Sequence, residues 1–273
     1  MKLFRATLLA TALSLPLVAG AYAATPADAL VVAQNIDDIV AIDPAQAYEF
    51  TAGELNANLY DHLVQYDAED TTVLAAALAS EWVADEAAKT LTFTMRDGVT
   101  FSSGNPVRAE DVVFSFSRVI KLNLTPAFIL AQLGWTPENV ADMVVADGNT
   151  VTVKWDGDFS SAFVLNVLAA RPGAIVDELT VMANEVDGDM GNAWLNTNSA
   201  GSGAFVLKDY RPAELVRLEA NPNYYKGAPA MKTVLIRHVA EAATQQLLLT
   251  SGDVDIAKNL TPDQIVGLDA AAT

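Results

Sequence analysis

The 273-residue sequence has no cysteine and only two histidines. Without a thiol, thiolate nucleophiles and cysteine-ligated metals are excluded. His62 and His238 lie far apart, and neither stands in a His-x-x-x-His spacing, so structural roles suit both better than ligation. No serine stands in Gly-x-Ser-x-Gly, and the carboxylates are too scattered to select a glycosidase-like acid pair. Asp187-Gly188-Asp189-Met190-Gly191 lacks the ligand spacing and closing glutamate of a calcium loop and reads as a solvated turn. An enzyme, hydrolase included, is therefore the weaker reading, and no cofactor or metal is expected. Basic residues are scarce too, 16 Lys and Arg against 34 Asp and Glu. A surface of that sign repels nucleic acid and anionic membrane.

One long apolar run is present, at the start. Residues 1–23 carry Lys2 and Arg5, then Leu8, Leu9, Leu13, Leu15, Leu17 and Val18, then Ala21-Tyr22-Ala23. This is the anatomy of a secretory signal peptide cleaved before Ala24. Pro16 and Gly20 interrupt the run, which is too short for a membrane span. No cysteine follows it to carry lipid, so the mature chain is expected free in a periplasm. Removing Lys2 and Arg5 leaves 14 basic against 34 acidic residues, a net charge of −20. An exported chain of roughly 250 residues buries enough apolar surface to manage without disulfides and is long enough to divide into two lobes.

Residues 90–120 organise the rest. Leu91, Phe93 and Met95 alternate with Thr90, Thr92 and Thr94, the period of a strand with one apolar face. Asp97-Gly98 is a turn pair, Val99-Thr100-Phe101 reads as a short returning strand, and Ser103-Gly104-Asn105-Pro106 as a second turn. Val112, Phe116, Val119 and Ile120 then fall on one face of a helix. Glu110 and Asp111 lead it while Arg118 and Lys121 close it, the charge order that suits the helix dipole.

The pattern Arg96-Asp97-Gly98-Val99-x-Phe101-x-x-Gly104-x-Pro106-Val107-x-Ala109-Glu110-Asp111-Val112-Val113-x-Ser115 resembles the signature of the family 5 extracytoplasmic solute-binding proteins, receptors of ABC importers for peptides and nickel. Arg108 stands where such sequences have a threonine that completes a capping box with Asp111, so the helix start is expected to lose a fraction of the roughly 1 kcal/mol of a good cap. A second match runs from 200 to 255. Gly201-Ser202-Gly203-Ala204-Phe205 resembles the family's Gly-Thr-Gly-Pro-Phe element, and Asn221-Pro222-Asn223-Tyr224-Tyr225-Lys226-Gly227 its Asn-Pro-x-Tyr-aromatic-Lys-Gly turn. No third glycine and helix follow Gly203, so a dinucleotide site is not supported. Elsewhere the sequence predicts a strand at 29–34, a helix at 53–63 with His62 near its end, a hairpin at 143–155, and a helix from Ser160 with Phe163, Val164, Val167 and Leu168 inward. A helix at 242–251 closed by Gly252 and another opened by Thr261-Pro262 complete the pattern.

The resemblance implies an α/β periplasmic binding protein of type II: a first lobe from 24–66 and 196–273, an inserted α/β subdomain at 67–195, and a second lobe absent from this chain. It also implies where a ligand meets it. Ile42-Asp43-Pro44 resembles the family's motif after the first strand, and the loop that follows borders the ligand cleft in such proteins. Tyr48, Glu49, Phe50 and Thr51 are thus expected to line the cleft, aromatics beside a carboxylate suiting an ammonium or amide. The alternative is that these aromatics cap the core beneath them. By position Phe128 reaches the cleft from the smaller subdomain, or else packs in the core. The implied function is a monomeric receptor for di- or oligopeptides that closes on its ligand and docks on permease subunits of the inner membrane. The family also includes receptors for nickel complexes, haem and sugars, and the acidic residue that pairs with a peptide's amino terminus belongs to the second lobe. A periplasmic chaperone or sensor partner on the same fold, and a peptidase, are the other readings.

Overall fold

The computed structural model describes residues 26–271 apart from Ala68. The expected leader at 1–23 and its cleavage point lie outside the described residues. In chain order the first half contains β1 (Ala29–Gln34), α1 (Phe50–Leu59), β2 (Val64–Tyr66), β3 (Leu74–Ala76), β4 (Ala79–Asp85), β5 (Thr90–Met95), α2 (Ala109–Leu122), α3 (Ala127–Ala131), α4 (Val140–Met143), β6 (Val144–Asp147) and β7 (Thr150–Lys154). The second contains α5 (Ser161–Leu168), a 3-10 turn (Arg171–Gly173), α6 (Glu178–Met182), α7 (Asn192–Leu195), β8 (Phe205–Arg211), β9 (Leu215–Ala220), β10 (Thr233–His238), α8 (Ala242–Ser251), β11 (Ile256–Ala257) and α9 (Pro262–Ala271).

Two sheets carry two cores. The four-stranded sheet, in the order β4-β5-β7-β6, is antiparallel throughout. Leu91, Phe93 and Met95 of β5 are buried in it with Val151 and Val153 of β7. Helix α2 covers that face through Val112, Phe116, Val119 and Ile120, the four positions its period predicts. Each large side chain buried this way contributes on the order of 1.5–3 kcal/mol. The five-stranded sheet runs β11-β1-β10-β9-β8, so its one early strand, β1, lies between strands from the last quarter of the chain. β1 is parallel to both β10 and β11.

Tertiary contacts revise several local expectations. Val99–Phe101 forms no strand; Thr100 makes a single bridge to Pro106. Helix α1 begins at Phe50 and ends at Leu59, so Tyr60, Asp61 and His62 lie beyond it. Gly201 and Gly203 abut its last turn: a Cβ at 201 would sit 2.0 Å from the Leu59 carbonyl oxygen, and one at 203 would sit 2.4 Å from that of Asn58. The two glycines of the Gly-x-Gly element thus serve backbone approach. Phe163 is 38% exposed and stacks on Phe159 with ring centroids 4.8 Å apart. At the start of α2 an arginine side chain has no oxygen to cap with, yet Asp111 accepts the Arg108 backbone N–H at 2.8 Å and its guanidinium at 3.0 and 3.2 Å. That salt-bridged half of a capping box offsets the expected loss.

Arg118, late in α2 as the charge order has it, is committed to a buried ion pair. It is 1% exposed, and its two terminal nitrogens donate to Asp43 at 2.7 and 2.5 Å. Its Nε donates to the Met190 carbonyl, and Asp43 also accepts from Ala45 N–H and Asn192 Nδ2. This knot ties the residues before the 46–51 loop to α2 and to the start of α7. A second buried carboxylate, Asp61, accepts from Ser202 Oγ at 2.9 Å and Tyr224 Oη at 3.3 Å. Burial pushes its pKa above the usual range.

Candidate ligand-binding face

Because β1 runs parallel to β10 and β11, the carboxyl ends of all three emerge on one side, the position where open α/β sheets build their sites. The chain leaves them through Asn35 after β1, Val239 after β10, and Lys258-Asn259 after β11. Asn259 Oδ1 accepts the Asn35 backbone N–H at 2.8 Å and Gln245 Nε2 at 3.1 Å, while Gln245 also donates to the Val239 carbonyl at 2.6 Å. One buried glutamine therefore joins the three strand exits. Two of the exits, Asn35 and Lys258-Asn259, border a depression of about 410 Å³ whose other walls include Asp38, Phe50, Thr51 and Glu54.

The 46–51 loop stands on this face. Tyr48 is 48% exposed, Phe50 84% and Phe128, from α3, 57%. Tyr48 and Phe128 meet edge to face with centroids 5.9 Å apart. Such a pair gains about 0.5–1.5 kcal/mol beyond area burial. The two aromatics, 80 positions apart, thus form one exposed unit. The Glu49 carboxylate folds back to accept the Tyr48 N–H at 3.1 Å. Thr51 turns inward: it is 5% exposed, its N–H donates to Asp38 at 3.2 Å, and its hydroxyl accepts from Gln34 Nε2 at 3.3 Å. Of the five residues singled out from the sequence, three offer exposed rings, one a half-buried carboxylate, and one supports the loop from beneath.

Residues that sequence reasoning missed complete the face. Arg171 Nη1 donates to the carbonyls of Tyr48 and Glu49 at 2.7 and 2.8 Å, and its guanidinium lies 5.9 Å from the Phe50 ring centroid. Glu54 pairs with Lys258 at 2.5 Å across α1 and β11. No spacing signal marks either pair, since the partners lie more than a hundred residues apart. A second depression, about 350 Å³, opens between α1 and the Arg171–Gly173 turn and shares Phe50 and Glu54 with the first. Asn56 and His62 line it, and both amide atoms of Asn56 and His62 Nε2 are buried without a partner among the described residues. Such orphaned groups cost about 1–3 kcal/mol each. Burial drives His62 down to about 4, so its ring is neutral near pH 7.

Comparison with known proteins gives one consistent result. Residues 73–272 match the model of the bacterial extracellular solute-binding proteins, family 5 Middle. The probable D,D-dipeptide-binding periplasmic protein DdpA of Escherichia coli (strain K12) is 32% identical over 268 residues, 97% of this chain and 49% of DdpA. Among solved structures, the murein tripeptide binding protein MppA of Escherichia coli superposes with a TM-score of 0.73 at 23% identity over 90% of this chain and 48% of its own. The ABC transporter-associated periplasmic binding protein DppA from Helicobacter pylori, in complex with the peptide STSA, superposes with a TM-score of 0.74 at 22% identity over 89% of this chain and 48% of its own. The structural likeness shows the fold, and the chain spans about half the length of these relatives.

Proposed function

This chain belongs to family 5 of the bacterial extracellular solute-binding proteins, and on that premise we propose that it acts as a periplasmic receptor of an ABC importer for di- or oligopeptides. It is exported through residues 1–23, works as a monomer, closes on its ligand about a hinge and delivers it to permease subunits of the inner membrane. In this reading residues 24–66 and 196–273 form one lobe and residues 67–195 its inserted subdomain. The observation that carries the proposal is the exposed Tyr48–Phe128 pair, with the exposed Phe50 ring, beside the polar strand exits. Exposed rings provide contact area for a ligand, and the surrounding Asp38, Glu49 and Asn35 provide the few placed polar groups that orient one. The peptide-binding relatives support the choice of ligand class.

Native mass spectrometry of the protein isolated from its own periplasm tests this directly. The expected result is an adduct of a few hundred daltons that fragments as a peptide. A native mass equal to the denatured mass, with no uptake from an added dipeptide pool, would sink the proposal.

A further inference from the structure

We propose that the open edge of β6 is a docking site for an extended, basic segment of a partner protein, which adds to the four-stranded sheet as a further strand. The site shares no wall with the two depressions of the candidate ligand-binding face and goes beyond the receptor reading. β6 ends the strand order β4-β5-β7-β6 and pairs only with β7. The register sets Asp147 opposite Thr150 across a two-residue turn, so Val145 and Asp147 exchange backbone hydrogen bonds with β7 while the backbone groups of Val144 and Ala146 point away from it. The Val144 N–H turns back to the Val140 carbonyl. The Val144 C=O and both backbone groups of Ala146 have no partner among the described residues. The opposite edge of the same sheet is guarded: β4 has a register shift between Ala79 and Glu81 and exposes Glu81 and Asp85. Such a bulge and such charges block strand addition, whereas the β6 register is unbroken.

A groove adjoins this edge. A depression of about 440 Å³ lies between β6 and α2, walled by Val144 and Ala146 from the strand and by Val113, Phe114 and Ser117 from the helix. Val113 and Phe114 are only half-buried, so α2 keeps apolar surface beyond the face that it packs on the sheet. In an added strand every second side chain points toward α2, and apolar residues at that spacing fill the groove while the main chain bonds to Ala146. The surrounding charge selects the residues between them. Glu110, Asp142 and Asp147 are exposed and form no ion pair among the described residues. Lys121 is the one basic residue on the described walls of the groove. Carboxylates without counter-ions beside an open edge favour lysine or arginine in the incoming segment, and they oppose edge-to-edge pairing of two copies of this acidic chain.

The test uses the protein in the full-length form its source cell makes and the probe Lys-Val-Lys-Val-Lys-Val-Lys, with a fluorophore on its amino end and an amide on its carboxyl end so that neither resembles the terminus of a free dipeptide. Anisotropy should show saturable binding, and amide exchange should slow at Ala146 while residues 48–51 stay unchanged. A probe with glutamate in place of lysine should bind at least about 10-fold more weakly. Ala146→Pro deletes a donor that faces away from β7, which an edge strand tolerates, and should weaken the lysine probe about 10-fold. The surface variant Glu110→Gln, Asp142→Asn, Asp147→Asn keeps the fold and should erase the preference for lysine over glutamate. Unchanged preference in that variant, or no binding of the lysine probe up to about 1 mM, would overturn the proposal. So would protection at 48–51 in place of Ala146, which would put the probe on the ligand-binding face. A dimer in sedimentation that Ala146→Pro dissociates would give the edge to a second copy instead. Dipeptide capture is measured separately in the same variants and should be unaffected, so failure of the receptor reading and failure of this one are told apart.

Discussion

Arg118 and Arg171 show how one chain uses the same side chain in opposite ways. Arg118 is sealed in the interior, with its charge met by Asp43 and its Nε by the Met190 carbonyl. Arg171 is half-buried on the candidate face, bonds to two carbonyls and leaves one edge open. The first arrangement has no capacity left for a ligand, and its strength goes into the fold. The second holds a loop in place with part of a guanidinium and keeps the rest unspent. Charge saturation, more than residue type, separates these two arginines.

Breaking the saturated side should have the largest effect. Arg118→Met leaves Asp43 buried without its cation and is expected to cost about 3–5 kcal/mol of unfolding free energy in urea denaturation. The double variant Arg118→Met with Asp43→Leu should recover much of that loss, because no uncompensated charge remains. A double variant no more stable than the single would show that the knot does more than neutralise charge.

His62, on the wall of the Arg171 cavity, sharpens the comparison through pH. Its folded pKa is about 4 against an ordinary 6.5, so between those values the unfolded chain binds a proton that the folded chain does not. Stability contributed by the neutral ring is therefore complete above pH 6.5 and is lost as the pH falls toward 4, by at most about 1.4 kcal/mol per pH unit. His62→Gln should flatten that part of the stability profile, measured as the difference from the unmodified protein at pH 7 and pH 5. An unchanged slope would place the ring in a more solvated setting.

The smallest effect on stability is expected at the exposed loop. Glu49→Ala should change unfolding free energy by about 0.5 kcal/mol or less and Tyr48→Ala by about 0.5–1.5 kcal/mol, the worth of its pairing with Phe128, yet both should weaken ligand capture in calorimetry. Native affinity in both variants would remove the loop from the site. A large loss of stability instead would mean that the Tyr48 and Phe128 rings serve the core.

Much of the frame is legible in residue order. The alternation in 90–95 and the i, i+4, i+7 face of 112–120 need only local periodicity, and the core uses those side chains as predicted. Gly252 ends α8 with φ of 78°, a conformation that glycine adopts without strain. The errors cluster where distant segments meet. The backbone that crosses the end of α1 comes from residues 201 and 203, and the buried partner of Arg118 is an aspartate 75 positions earlier. On the candidate face, Tyr48, Glu49, Phe50, Thr51 and Phe128 are singled out by composition and resemblance, but neither separates the inward Thr51 from the outward Phe50.

The sequence by itself determined the elements, the apolar faces and the family, because strand and helix periods and turn dihedrals are set by neighbours a few residues apart. Tertiary structure alone decided which groups distant in sequence satisfy one another. Asp43 meets Arg118, Gly53 seats Arg171, and Gln245 joins three strand exits only after the chain has folded. Hydrogen bonds and ion pairs act over a few ångströms in space, without regard to separation along the chain.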